Sequence, residues 1–181
     1  RGELDVGISA SNEYDYLHTG ANARYSLGLN QKNTTLGFGI AFAADSVDPV
    51  GGAPIPFAPM LPPGGTGNKA GSDSKTVLDG LIGVTQVLGK QTVAELNYSY
   101  SRSSGYLTDP YKVLSVVDPV TGDPGAYLFE SRPDQRTKQS FFGQVKHHFG
   151  RPIADLSYRY MTDDWGVASH TVEMHWRQPL G

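Results

Sequence analysis

The stretch from Thr137 to Arg177 constrains the fold more than any other. It runs TKQSFFGQVKHHFG, turns at Gly150-Arg151-Pro152, returns as IADLSYRYM, crosses the polar loop TDDWGVAS and runs back as HTVEMHWR. In each of the three segments apolar and polar residues alternate with period two, the repeat of a strand whose successive side chains point to opposite faces. Ala154, Leu156, Tyr158 and Tyr160 share one parity, while Asp155, Ser157 and Arg159 share the other. Val172, Met174 and Trp176 likewise oppose Thr171, Glu173, His175 and Arg177. Three such segments joined by short connections predict antiparallel neighbours with one apolar and one charged face.

The pattern recurs along the chain. Gly2–Ser9 reads as a first strand, and Tyr14–Leu29 as a second, long enough for Gly20 to mark a bulge or bend. Thr34–Ala43 alternates most cleanly, with Leu36, Phe38, Ile40 and Phe42 set against Thr35, Gly37, Gly39 and Ala41. That second, small-residue set suits close approach by another element. Thr76–Leu88 and Thr92–Ser101 follow; in the latter Leu96 and Tyr98 oppose Glu95 and Asn97.

The connections differ sharply in length. Residues 45–75 form a Pro- and Gly-rich break, and residues 103–136 a second excursion whose YKVLSVV and AYLFE segments predict a small hairpin. The first break reads either as a mobile surface loop or as a segment that Ile55, Phe57, Met60 and Leu61 anchor to a partner or into a cavity. Counted over about eight strands, every tight turn falls at one end and every long loop at the other. An outer-membrane barrel has that asymmetry, with periplasmic turns and longer extracellular loops. A soluble β-sandwich or lipocalin-like barrel is the alternative, but nothing requires it to segregate loops by length.

Composition permits the membrane reading. No apolar run is long enough for a spanning helix, and a mean hydropathy of −0.35 suits a barrel, whose lipid-facing and interior residues alternate. The formal charge of −3 supplies no basic field for nucleic acid, and the 181 residues contain no cysteine for disulfide or thiolate chemistry. The opening RGELDV, without Met or leader, reads as a processed or trimmed product.

Specific segments also carry a resemblance. SNEYDYLHTG, NQKNTTLGFG, GYLTDPYK, ESRPDQR and YRYMTDDWGVASHTVE together resemble the family of bacterial outer-membrane proteins known as domain of unknown function 3570. GYLTDPYK and the DDWG…SHTVE pair are the most specific. The resemblance implies an antiparallel transmembrane β-barrel in the outer membrane of a Gram-negative bacterium, with no biochemical role attached. It also implies members about twice this length, so that this chain is a large part of a barrel, and flavin-transferring and thioredoxin-like proteins as neighbours. The closing Gln178-Pro179-Leu180-Gly181 reads as a further turn, in keeping with a partial barrel.

On the barrel reading Leu36, Phe38, Ile40, Phe42, Leu96, Tyr98, Leu156, Tyr158, Val172 and Trp176 face lipid. Arg24, Asp79, Glu95, Lys146, Asp155, Arg159, Glu173 and Arg177, with Glu3 and Asp5, line the interior. Opposite signs on neighbouring strands, Lys146 with Glu95 or Asp155 and Arg159 with Glu173, predict a pairing ladder or a charged constriction. His147 and His148 differ in parity, as do His170 and His175, so no metal site is expected. Ser169, His170 and Glu173 have the residue types of a hydrolytic set, but His170 and Glu173 fall on opposite faces and no nucleophile elbow is present. The loop aspartates, Asp109, Asp118, Asp123, Asp134, Asp163 and Asp164, are mostly explained by turn chemistry. No catalytic residue, cofactor or nucleic-acid partner is expected; the expected partners are outer-membrane lipid and lipopolysaccharide, and a periplasmic or lipoprotein protein. Two functions follow: a solute pore whose lumen the 45–75 loop restricts, or a closed scaffold whose loops or periplasmic end bind a partner.

Overall fold

The fold is one antiparallel meander carrying two small hairpins at one end. The computed structural model describes residues 1–61, 65 and 67–179. The readings that involve Pro62, Pro63, Gly64 and Thr66 in the first loop and Leu180-Gly181 in the final turn lie outside the described residues.

The strands are β1 (Gly2–Asn12), β2 (Tyr16–Leu29), β3 (Thr34–Val47), β4 (Ala53–Pro54), β5 (Lys69–Ala70), β6 (Asp73–Gly89), β7 (Thr92–Gly105), β8 (Val113–Val117), β9 (Pro124–Phe129), β10 (Gln135–His148), β11 (Ile153–Asp163) and β12 (Ala168–Arg177). Eight of them form a single sheet in the order β1-β2-β3-β6-β7-β10-β11-β12, while β4-β5 and β8-β9 are separate two-stranded pairs. All pairings are antiparallel. The sheet is open: among the described residues β1 and β12 do not pair with each other.

Register keeps each parity on its own face across all eight strands. One row runs Leu4, Tyr25, Phe38, Ile82, Tyr98, Phe141 and Tyr160 to His170. The next, towards the tight turns, passes through Leu27, Leu36, Val84, Leu96, Gly143, Tyr158 and Val172. These rows form a continuous apolar band, tightened by aromatic contacts such as Tyr98–Phe141 at 4.9 Å between ring centroids.

The segregation of connections is present as read. The tight turns at 30–33, 90–91 and 149–152 share one end, and the long loops share the other with the connections at 13–15 and 164–167. The first tight turn places three consecutive non-glycine residues, Asn30, Gln31 and Lys32, at positive φ. Asn is among the residues that tolerate this region best.

Three local expectations are corrected. β2 pairs with both neighbours without interruption through Gly20, so no bulge occurs there; register shifts lie between Val87 and Gly89 in the main sheet and between Val116 and Val117 in the small hairpin. Among the described residues no element from outside the sheet closes on the small-residue face of β3 at its two glycines: a Cβ at Gly37 would meet nothing within 4 Å, and one at Gly39 only Leu81 of the neighbouring strand at 3.6 Å. The strands also run further than the alternation suggested, since β3 continues to Val47, β6 begins at Asp73 and β7 ends at Gly105.

Neither sheet face carries a core. Among the described residues the buried apolar side chains are Val47, Pro49, Ala53, Pro54 and Phe129, all at the long-loop end, whereas Ile8 is 91% exposed and Leu96 62%. The chain exposes 12171 Å². A close-packed monomer of 19.5 kDa would expose roughly 8,500 Å². The apolar band therefore needs cover that the described chain does not itself provide.

Candidate functional site

Two features stand out: the charged face of the sheet, and a cap that the two long loops build over its end. The cap starts from β4 and β5, which pair through Ala53 N donating to Gly71 O (2.9 Å) and Ile55 N to Asn68 O (2.9 Å). Residues 58–60 then lie against β9. Met60 N donates to Tyr127 O at 2.8 Å and Phe129 N to Ala58 O at 3.0 Å, so the first loop is bridged to the outer edge of β9 at Pro59 and Leu128. Phe129 is buried at this seam, with Lys69 Nζ 5.6 Å from its ring centroid. The second loop is tied to the sheet by Tyr106 N to Ser74 O (2.8 Å) and Gly105 N to Asp134 O (2.7 Å). Gly105 is required at that join: its φ is +107°, and a Cβ would come 2.3 Å from Ser74 O.

The described part of the first loop is therefore hydrogen-bonded structure, not a free surface loop. Ile55, Phe57, Met60 and Leu61 stay exposed, so they do not tuck into a cavity of this chain, whereas Ala53 is buried. Val47 at the end of β3 is buried as well.

On the charged face, register brings Arg24, Asp79, Glu95, Lys146, Asp155, Arg159, Glu173 and Arg177 to one side, with Asp5 directly opposite Arg24. Arg24, Asp79, Glu95, Asn97, Ser101 and Lys138 border a basin of about 630 Å³. Among the described residues neither Glu95 with Lys146 nor Arg159 with Glu173 forms an ion pair. Glu95 stands opposite Gln144, and Glu173 opposite Ser157, so the expected partners are diagonal neighbours, typically 7–8 Å apart. Arg159 instead lies over Phe142, 5.1 Å from its centroid. Lys146 does face Asp155 in register, but Asp155 pairs with His175 Nδ1 at 2.8 Å. Leu36, Phe38, Ile40, Phe42, Leu96, Tyr98, Leu156, Tyr158, Val172 and Trp176 all lie on the apolar face.

The Ser169-His170-Glu173 set is not assembled: His170 Nδ1 bonds the Tyr158 hydroxyl at 2.8 Å on the apolar face. Sequence reasoning missed a different cluster, around Asp45. Tyr16 Oη donates to Asp45 Oδ2 at 2.5 Å, His18 Nδ1 lies 2.6 Å from Oδ1, and Lys75 Nζ lies 3.7 Å from Oδ2. Three strands contribute at one level, a relation visible in sequence only once register is known.

The DDWG segment forms the tightest loop construction. Asp163 Oδ1 accepts from Trp165 N (3.0 Å) and Val167 N (2.8 Å), and Asp163 Oδ2 accepts from Arg136 Nε at 2.8 Å. The Arg136 guanidinium lies 4.6 Å from the Trp165 ring centroid, and Trp165 Nε1 donates to Gln135 O at 2.7 Å. Asp163 stands at the loop end, beyond the apolar band. Burial works to raise its carboxyl, but Arg136 and the amides of Val167 and Trp165 outweigh this and hold it below the usual carboxylate range. A depressed folded-state value stabilises the loop above the ordinary aspartate pKa, about 3.9, and that stabilisation is lost as pH falls through the depressed value. Trp165 emission, followed in a Trp176→Phe background, should therefore stay constant from neutral pH to about pH 4 and change only in stronger acid. In Asp163→Asn this acid step should be absent.

Fold and faces together define an all-β antiparallel meander with one apolar and one charged side and a loop-built cap. The sequence matches the family described as Protein of unknown function (DUF3570) over residues 1–181, and the chain belongs to that family. Neither the curated proteins nor the solved structures yield a match.

Proposed function

We propose that this chain is a transmembrane β-barrel, or a large part of one, in a Gram-negative outer membrane, and that it forms a solute pore whose mouth the cap restricts. The observation that carries this reading is the uninterrupted apolar band of exposed side chains across eight paired strands. Main-sheet strands of 10 to 17 residues meet or exceed the ~9–11 that a tilted spanning strand needs. Long loops at one end and tight turns at the other agree with outer-membrane topology. Lipid and lipopolysaccharide would cover the apolar band, while the charged face would line the lumen. An eight-stranded barrel closed on itself is filled by side chains, so a pore requires further strands beside the open edges of β1 and β12.

A second reading has an observation of its own. The cap leaves Ile55, Phe57, Met60 and Val120 exposed, apolar side chains suited to a protein partner such as a lipoprotein. The barrel would then be a scaffold. Planar-bilayer recording on the intact protein separates the two. For a pore, single-channel conductance is expected and should rise when residues 48–72 are replaced by a short turn, a deletion that spares the Asp45–Lys75 pairing. A folded, heat-modifiable barrel that passes no current in either form would leave the scaffold.

A further inference from the structure

The charged face ends, beneath the cap, in a serine, a histidine and an aspartate contributed by three neighbouring strands. His18 of β2 stands opposite Asp45 of β3, and Ser9 of β1 stands opposite Gly20, so His18 and Asn22 are the two diagonal neighbours of Ser9 on β2. His18 Nδ1 lies 2.6 Å from Asp45 Oδ1, and Ser9 Oγ lies 3.1 Å from His18 Nε2. The Asp45 side chain is 5% exposed and that of His18 29%. With Tyr16 and Lys75 on its other oxygen, the Asp45 carboxylate is oriented to accept from Nδ1–H. That tautomer leaves the Nε2 lone pair facing the Ser9 hydroxyl, which is how a serine is activated as a nucleophile.

A second observation concerns the space beside them. A Cβ at Gly20 would come 2.7 Å from Ser9 Oγ and 3.2 Å from His18 Nε2. Glycine at this position keeps the approach to both reacting atoms open. Asn22 follows on the same face, with its amide over Gly7, and leads into the basin that Arg24 borders. We propose that Ser9 and His18, with Asp45 as the positioning residue, form a hydrolytic centre for small polar carboxylic esters. The polar surroundings argue against a long alkyl substrate, and the proposal does not depend on whether the barrel conducts.

In the reaction Ser9 Oγ adds to the ester carbonyl carbon as its proton passes to His18 Nε2. Collapse of the tetrahedral adduct breaks the bond to the alcohol oxygen, which leaves with that proton, and the acyl group remains on Ser9. Water then adds to the acyl carbon, giving one proton to His18 Nε2. The second collapse returns that proton to Ser9 Oγ and releases the carboxylic acid. Ester and water become acid and alcohol, with no change of oxidation state.

The test uses the intact protein in detergent micelles with a fluorophosphonate probe and p-nitrophenyl butyrate. Wild type should be labelled on the peptide containing Ser9 and should hydrolyse the ester. Ser9→Ala, which removes one exposed oxygen, should abolish both signals while heat-modifiable migration persists. His18→Asn should lower turnover at least about 10²–10⁴-fold, the usual contribution of a positioned general base. Asp45→Asn should lower turnover and also displace the acid limb of the pH profile, which a purely structural role would not do. Ser11→Ala, directly opposite His18 in register, should leave the rate unchanged. Absence of labelling in wild type, or equal hydrolysis by wild type and Ser9→Ala, would overturn the assignment.

Discussion

Leu96→Arg and Leu156→Arg should each destabilise the protein folded in lipid vesicles by about 2–4 kcal/mol, the cost of a cation on the lipid face near the bilayer midplane. Both side chains are more than half exposed, at 62% and 55%. In a water-soluble protein such positions would accept arginine almost without cost. They occupy adjoining rows of the apolar face, where Leu96 stands opposite Val84 and Gly143, and Leu156 opposite Val145 and Met174. No internal packing change offers a rival cause for the loss. Ser99→Arg is the control, partly buried on the charged face of the same strand as Leu96. Ser157 would serve less well, because it is buried at 6% exposure and arginine would overpack it. Denaturant titration of all three variants in vesicles decides the matter. Losses confined to Leu96→Arg and Leu156→Arg support the lipid-facing assignment, and equal tolerance on both faces would sink it.

Sequence alone carried the sheet because each of its signals is local. Period-two alternation is read within ten residues, and turns such as Asn30–Asn33 and Gly150–Pro152 announce themselves through their own residue types. Interactions that depend on register could not be read in the same way. Whether Glu95 meets Lys146 or Gln144 turns on an offset that parity does not contain, because a shift of two residues preserves the face and exchanges every partner. Ser9, His18 and Asp45 share a parity that alternation already implied, but only the pairings Ser9–Gly20 and His18–Asp45 bring them to one level. Gly20 shows the same limit. Read locally it suggested a bulge, whereas in register it is the open space beside Ser9 Oγ. The cap was hidden for a different reason. The seam joins an irregular segment, residues 58–60, to β9 about seventy positions away, and a single backbone bridge of that kind leaves no periodic trace in the sequence.

That seam yields the second large effect. Phe129 is the largest apolar side chain buried among the described residues, and its own amide donates to Ala58 of the other loop. Phe129→Ala should cost the cap about 3–5 kcal/mol, since the phenyl ring has little neighbouring structure able to collapse into the space it leaves. Val47, Pro49, Ala53 and Pro54 are the other buried apolar residues at that end, and none has the volume to hold the loops together. The loss should be local, because the main sheet is secured by its own ladder and not by the cap. Amide hydrogen exchange should therefore show the Met60 and Phe129 amides losing protection while those in mid-β7 and mid-β10 keep theirs. A uniform loss through the sheet would mean that the cap supports the whole fold. If the cap restricts a pore, the same substitution should raise single-channel conductance towards that of the 48–72 deletion with every strand intact. Undocked loops with unchanged current would show that the cap does not restrict conduction, and its exposed Ile55, Phe57, Met60 and Val120 would then be the surface to probe for a partner.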